Sequence, residues 1–416
     1  MRTTALPATD QALAAEVESW IRDNLPAVWV QAIDDDDAPA LAAARAHLDV
    51  SEWWERLGEV GYFFSHWPLE HGGLGLDTDR SAVVNNVLRK YKVPRSDNPL
   101  GLNVSRALLW WGTEAQKQRF LPPILRQKEI WVQLFSEPGA GSDLASLSTR
   151  AVRDGDQWHV NGQKVWSSHA ERSQWGILLA RTDPDVPKHQ GITMFMIEIN
   201  QPGRIDVRPL KQITGEQFFN EVFFDDAIVA DENRLGPVGD GWRQGSRLLT
   251  FERGAGGGEG SASPGMAVGR SIDALMKHYG HVEDPQLRQR MAAAYSRDRI
   301  TRWTRQRIDA QRRAGRPAGQ ETSILKLYNS HNAQALQNLS FDLEGMNAQA
   351  YEEGDRWADG TKYSFLRIRS ATIAGGSSEL QRNILGEKVL GLPREPAVDR
   401  DIPWNQTLRA SQQRER

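Results

Sequence analysis

Through the first 130 residues, apolar side chains recur every three or four positions, the spacing of helices that bury one face. Leu13, Val17, Trp20 and Ile21 form one such stripe, and Ser51 is placed to cap another that carries Trp53, Trp54 and Leu57. The period then changes. Within residues 131–181, Asp154-Gly155 and Asn161-Gly162 are dipeptides that close two-residue hairpins, and the segments they separate alternate in polarity as half-buried strands do. A small antiparallel sheet is expected there, with the polar loop of residues 136–143 at its rim. After Gly239-Asp240-Gly241-Trp242 the helical spacing returns, with Asp240 as a candidate cap, and it persists through residues 264–390. The periods describe an α+β chain in four parts: a helical segment 1–130, a β segment 131–235, a helical bundle 236–395, and a tail 396–416 expected to fray.

Composition narrows the class. A chain of 416 residues exceeds one hydrophobic core, so two or three packed units are expected. A net charge of −3 makes no electrostatic case for nucleic acid or a membrane surface as partner. The absence of cysteine excludes disulfides and thiolate metal sites and fits a reducing cytoplasm. Met1-Arg2-Thr3-Thr4-Ala5-Leu6-Pro7 lacks the apolar core of a signal peptide, and no run reaches bilayer length, so a soluble cytoplasmic protein is the expectation. The acidic run at residues 34–37 reads as a solvated loop.

Candidate chemistry begins at the loop. Ser136-Glu137-Pro138-Gly139-Ala140-Gly141-Ser142-Asp143 can offer successive backbone N–H groups and two hydroxyls to an anionic or heteroaromatic ligand, its glycines permitting close approach; a tight surface turn has the same composition. The loop resembles T-E-P-x-A-G-S-D, and the following Asn161-Gly162-Gln163-Lys164-Val165-Trp166-Ser167-Ser168 resembles N-G-x-K-x-W-I-[TS], both found in the acyl-CoA dehydrogenase family. The turn at residues 67–75 is similar to that family's W-P-x-E-Y-G-G-x-G, with His71 at the aromatic position. Gly191-Ile192-Thr193, Phe224-Asp225-Asp226 and Ser377-Ser378-Glu379-Leu380-Gln381-Arg382 continue the match in the family's order over nearly the whole chain.

The resemblance implies a helical N-terminal domain, an antiparallel β middle domain and a helical-bundle C-terminal domain around FAD, in a homodimer or homotetramer. It places Gln133, Leu134, Phe135, Ser136, Gly141 and Ser142 along the pyrimidine and ribityl side of the flavin, with Ser142 also near the pantetheine arm of an acyl-CoA. Trp166 would stack beside the ring, Ser168 would bond near its N5, and Gly376, Ser377 and Glu379 would lie on the adenine side. A flavin needs an aromatic wall and a few placed donors, which these residue types supply. Leu102, Val104, Leu108, Trp110 and Trp111 lie in the segment that lines the family's acyl pocket; ordinary core packing is the other reading.

Trp242, Gly245, Leu248, Leu249 and Glu252 recur at steps of three or four, so Glu252 lies on or beside an apolar helical stripe, either reaching water at its edge or held in an apolar cleft. Most family members carry the base in Y-E-G-T, where this chain has Gly375. The isovaleryl- and long-chain-type members instead resemble Phe251-Glu252-Arg253, which implies Glu252 as base and Arg253 as a substrate contact. The Gly375 N–H would then remain a donor to the thioester carbonyl as the α-proton leaves, and a carboxylate desolvated by the acyl chain has a raised pKa. The implied reaction is FAD-dependent conversion of an acyl-CoA to a trans-2-enoyl-CoA in lipid metabolism, with an electron-transfer flavoprotein as acceptor. The glycines of residues 254–260 would open space for a bulky acyl group, or form a flexible loop.

Two departures matter. The family's R-x-x-F-G, whose arginine reaches the FAD pyrophosphate of a neighbouring subunit, is absent near Gly280, and Q-x-x-G-G-x-G is replaced at residues 341–347. They leave open a subunit that completes another chain's FAD site within a hetero-oligomer. A related flavoenzyme acting on a carrier-protein-bound acyl group or a nitroalkane is the third reading.

Overall fold

The computed structural model describes residues 6–94, 100–255, 270–314, 322–350, 356–394, 396–397 and 399–407, with side chains at all of these except 100, 102, 251–255, 312–313 and 356–359. The N-terminal segment is a set of short helices: α1 (Asp10–Asn24), α2 (Ala27–Asp34), α3 (Ala38–Ala44), α4 (Val50–Glu59), α5 (Thr78–Lys90), α6 (Leu100–Trp111) and α7 (Glu114–Leu125). Their apolar stripes converge on Leu13, Val17, Ile21, Trp29, Trp53 and Tyr91. The cap of α4 is Asp49, not Ser51: the Asp49 carboxylate accepts from the N–H groups of Ser51 and Glu52, and a carboxylate at a helix start also meets the positive end of the helix dipole. The acidic run at 34–37 is likewise engaged, since Asp34 pairs with Arg22 and Asp37 caps α3. At α7, Thr113 and Gln116 form a capping box, and the Gln116 amide also donates to the carbonyls of Glu232 and Arg234, tying this helix to the end of the sheet.

The middle segment is one eight-stranded sheet: β1 (Trp131–Leu134), β2 (Arg150–Asp154), β3 (Gln157–Ser168), β4 (Trp175–Arg181), β5 (Ile192–Glu198), β6 (Ile205–Leu210), β7 (Phe219–Ala230) and β8 (Arg234–Leu235). Its order is β6-β7-β3-β2-β4-β5-β8, with β1 against β4. Most pairs are antiparallel, but β1 and β2 both meet β4 in parallel, so the sheet is mixed. β4 and β5 are buried on both faces. Ile177, Leu179, Met194 and Met196 pack towards α6 and α7, while Leu178, Ala180, Phe195 and Ile197 pack on the opposite side. Double burial explains why these strands read as continuous apolar runs.

The hairpin expected at Asp154-Gly155 forms between β2 and β3, whereas that expected at Asn161-Gly162 does not. β3 runs straight through it and the pair sits at a register shift against β7. Gly162 has φ +148° and a Cβ there would lie 2.7 Å from Thr149 Cα, so the glycine serves close approach within a bulged strand rather than a turn.

The C-terminal segment comprises α8 (Gly241–Ala255), α9 (Ile272–Tyr279), α10 (Pro285–Arg313), α11 (Thr322–Glu344), α12 (Arg356–Arg367) and α13 (Ser378–Ile384). The inward residues of α11 are mostly polar: Thr322, Ser323, Lys326, Ser330, Gln337 and Ser340 are buried beside Leu339. The tail is not frayed where the structure describes it, because residues 403–405 are hydrogen-bonded to the β4–β5 connection.

Candidate active site

The glycine-rich loop is held from beneath by a buried ion pair. Glu137 accepts from the Ser148 N–H and hydroxyl (2.7 and 2.8 Å), the Thr149 N–H (2.9 Å) and Lys164 Nζ (2.8 Å), and Lys164 also donates to the Phe135 carbonyl (2.9 Å). Burial alone would push the Glu137 carboxyl up. The charge and hydrogen bond of Lys164, with the Ser148 and Thr149 donors, outweigh it and hold the group at about 2. Burial pulls Lys164 below its ordinary value, opposed by Glu137.

With its base pinned, the loop turns outward. Gly141 and Ser142 are exposed, a Cβ at Gly141 would meet nothing within 4 Å, and their N–H groups have no acceptor among the described residues. Ser136 is half-buried, its carbonyl accepting from the Val165 N–H. Leu134 and Phe135 are buried on opposite sides of the sheet, which leaves only their backbone to face a ligand. Gln133 is half-buried beside Asn103 of α6.

A second bulge in β3, between Lys164 and Ser167, throws Trp166 out of the strand plane at φ +60°. Its indole is 60% exposed and stands edge-on to Phe219, with centroids 5.7 Å apart. Ser168 is half-buried at the strand end, and the buried Ser167 hydroxyl has no partner among the described residues.

The Gly375 turn approaches from the C-terminal side. Gly375 and Gly376 have φ +67° and +95°. Gln381 Nε2 donates to the Gly375 carbonyl (3.3 Å), and a Cβ at Gly376 would lie 2.6 Å from that nitrogen, so glycine is required. The Gly375 N–H has no acceptor among the described residues. The Ser377 hydroxyl caps α13, and Glu379 is exposed beside Arg382.

Three groups that the motifs did not flag join these parts. Buried Lys326 donates to the Ala371 carbonyl (2.9 Å), and its Cε lies 3.8 Å from where a Gly375 Cβ would sit. The buried Arg367 guanidinium lies 5.0 Å from the Phe218 ring and 5.7 Å from that of Phe219, and it donates to the Ser370 hydroxyl. Tyr363 donates to the Glu216 carboxylate at 3.0 Å. A continuous path, Trp166 to Phe219 to Arg367 to Ser370, therefore runs from the exposed indole to the segment carrying Gly375.

Glu252 and Arg253 lie on α8, but their side chains, like that of Leu102, fall outside the described residues, as do the glycines from 256 to 260. On the same helix Gln244 and Leu248, eight and four positions before residue 252, are buried, and Arg247 stacks on Trp110 at 4.1 Å. Val104 and Leu108 belong to the core, whereas Trp110 is partly exposed and Trp111 half-buried. Among the described residues no cluster of three or more side chains is arranged to hold a metal ion, and no helix is long and apolar enough to cross a membrane.

Comparison with known proteins agrees with this layout. Family models match in order: the acyl-CoA dehydrogenase N-terminal domain over residues 8–128, the middle domain over 133–227 and the C-terminal domain over 239–390. The chain is 37% identical over 390 residues to the acyl-CoA dehydrogenase IpdE1 of Mycobacterium tuberculosis, covering 92% of this chain and 97% of the relative. It is also 37% identical over 360 residues to FadE34 of the same organism, covering 86% of this chain but only 48% of that longer protein, so this chain spans about half of FadE34. Among solved structures, the Tcur3481-Tcur3483 steroid ACAD matches with a TM-score of 0.72 at 25% identity, covering 95% of this chain and all of the other. An acyl-CoA dehydrogenase from Geobacillus kaustophilus matches at 0.70 and 26%, covering 93% of this chain and all of that one. With three family models in sequence over a shared fold, the chain belongs to the acyl-CoA dehydrogenase family of oxidoreductases.

Proposed function

We propose that this protein is an FAD-dependent acyl-CoA dehydrogenase that converts an acyl-CoA to the trans-2-enoyl-CoA and passes electrons to an electron-transfer flavoprotein. The observation that carries the proposal is an exposed indole beside an outward glycine-rich loop with unengaged N–H groups, linked through Phe219 and Arg367 to the segment that carries a glycine turn with an unengaged N–H. Members of this family generally bind FAD. The residues fit such a group: Trp166 offers a flat wall, and the N–H groups of Gly141 and Ser142 offer donors over open space.

When bound, FAD supplies the two-electron acceptor that no side chain provides. The protein's own tasks are then limited. Ser136, Ser142 and Ser168 orient the flavin and the pantetheine arm, while Gly376, Ser377 and Glu379 contact the adenine side. The Gly375 N–H donates to the thioester oxygen, where charge develops as the α-proton leaves. Glu252 takes that proton, with Arg253 beside the substrate. A donor that belongs to the backbone needs no carboxylate at 375, which is why the base can come from α8. The test is anaerobic bleaching of the bound flavin by a panel of acyl-CoAs, linear and ring-bearing, because one similar structure is described as a steroid ACAD. Full reduction retained in Glu252→Gln would move the base elsewhere.

One observation favours a second reading, a hetero-oligomer. At the ends of α9 and α11, where the family carries its arginine and Q-x-x-G-G-x-G, the Tyr279 hydroxyl donates to the Glu344 carboxylate. An anion there repels a pyrophosphate. In this reading, a second copy does not complete the dinucleotide half of the site and a different chain does. The partner would also cover the outer face of α10, where Ile300 and Trp303 are exposed. A full flavin per subunit in the chain purified alone would reject this reading.

A further inference from the structure

The final segment described, residues 399–407, returns from the helical bundle to the β4–β5 connection. The Trp404 N–H donates to the Val186 carbonyl (2.9 Å) and the Asn405 N–H to that of Pro184 (3.0 Å), Pro187 and Pro403 form a β-bridge, and the Asn405 amide donates to Asp185. This mooring sits over two buried cations. The Arg181 guanidinium, 4.8 Å from the Trp404 ring, donates to the carbonyls of Ala145, Leu147 and Lys188. Buried Lys188 places its ammonium between Asp399 (2.8 Å) and Asp143 (3.2 Å).

Both cations act on the glycine-rich loop. Asp143 directly follows Ser142 and also accepts from the Ser146 hydroxyl (2.7 Å), and Ala145 and Leu147 are the next turn of the same loop. The Glu137–Lys164 pair fixes the near end of this loop, while its far end is held by cations that the tail covers. Charge-assisted bonds of this kind strengthen when water is kept out, and Arg181 and Lys188 are both buried.

We propose that residues 399–407 are a strap that sets the far half of the glycine-rich loop. Asp399, acting through Lys188, is a positioning residue for Ser142 and thereby for the carrier arm of the acyl thioester. The proposal rests on the reading of Ser142 as a thioester contact. It also explains why a tail so polar is held against the sheet: its carboxylate completes the coordination of a lysine that would otherwise face a single acid.

The test combines Asp399→Asn, Trp404→Ala and a chain ending at residue 394 with two measurements on the purified protein. The first is amide hydrogen exchange over residues 139–147 without substrate, which requires no activity. The second is steady-state turnover with the best acyl-CoA of the panel. Loss of one charge-assisted contact should raise KM about tenfold and speed loop exchange by a similar factor, with kcat little changed. Asp399→Glu should recover most of the affinity, which a purely structural role would not require. Unchanged exchange at residues 139–147 overturns the strap. Faster exchange with unchanged KM overturns the link to the thioester. If no acyl-CoA is turned over but exchange rises, the reading of function fails while the strap's hold on the loop stands.

Discussion

Replacing Lys164 with methionine isolates the contribution of the buried pair beneath the glycine-rich loop. The stem is replaced at similar volume, so the cavity is small and the main effect is electrostatic. A carboxyl held at about 2 against an ordinary 4.5 sets an upper limit of about 3 kcal/mol on its stability contribution at neutral pH, because the burial that depresses Lys164 subtracts from it. That falls at the lower end of the roughly 3–5 kcal/mol lost when one partner of a buried pair is removed, as expected with the Ser148 and Thr149 donors still in place. The folded carboxyl value lies below the unfolded one, so this stability is fully present above pH 4.5 and is lost as pH falls towards about 2. In Lys164→Met the same burial is opposed only by Arg181 and the Ser148 and Thr149 donors, so the Glu137 carboxyl rises relative to the parent and takes up a proton more readily as the pH falls. The variant should therefore unfold at lower urea than the parent at pH 7, and the gap should close as the pH drops below 4.5. Hydrogen exchange at the amides of Ser148 and Thr149 locates the loss. Equal urea midpoints at pH 7, or a gap that persists unchanged into acid, would refute the reasoning.

Other substitutions test the remaining parts. Glu252→Gln should slow flavin reduction by about 10²–10⁴-fold while acyl-CoA still binds, measured by stopped-flow bleaching. Gly376→Ala forces a Cβ to within 2.6 Å of the Gln381 amide at φ +95°, so it should lower the melting temperature through a loss of about 1–3 kcal/mol and disturb the Gly375 donor beside it. Arg367→Met removes a buried cation that donates to Ser370 and lies over Phe218 and Phe219. It should cost about 1.5–3 kcal/mol and shift the emission of Trp166, with Arg367→Lys recovering only part, because an ammonium is not a planar donor that can also stack.

Parts of the candidate site were marked in the sequence itself. The loop of residues 136–143 was marked by its composition and the segment ending at Ser168 by its resemblance to the family motif, and the Glu137–Lys164 pair joins the two. Where structure and sequence part, a local signal had two uses. Asn161-Gly162 has the makings of a hairpin turn, yet the strand passes through it because Thr149 needs a neighbour without a Cβ. Ser51 and Asp49 are both fair caps, and the carboxylate two residues earlier takes the N–H groups of Ser51 and Glu52. The tail looked free because its polarity is that of a solvated end, and its anchors, Asp185 and Lys188, are more than two hundred residues away.

What the sequence by itself determined is the kind of each element and the chemistry each could carry. Helical and strand periods are properties of neighbouring residues, and so are a glycine-rich loop and a solitary acid on a helix. Only the tertiary structure decided which of these groups meet. It alone paired β1 in parallel with β4, bulged β3 so that Trp166 faces outward, and set Lys164 against Glu137. It also brought Lys326 of α11 to the Gly375 turn and tied Asp399 to the loop. Contacts between residues far apart in the chain depend on how every intervening element packs, and no short window of sequence contains that information.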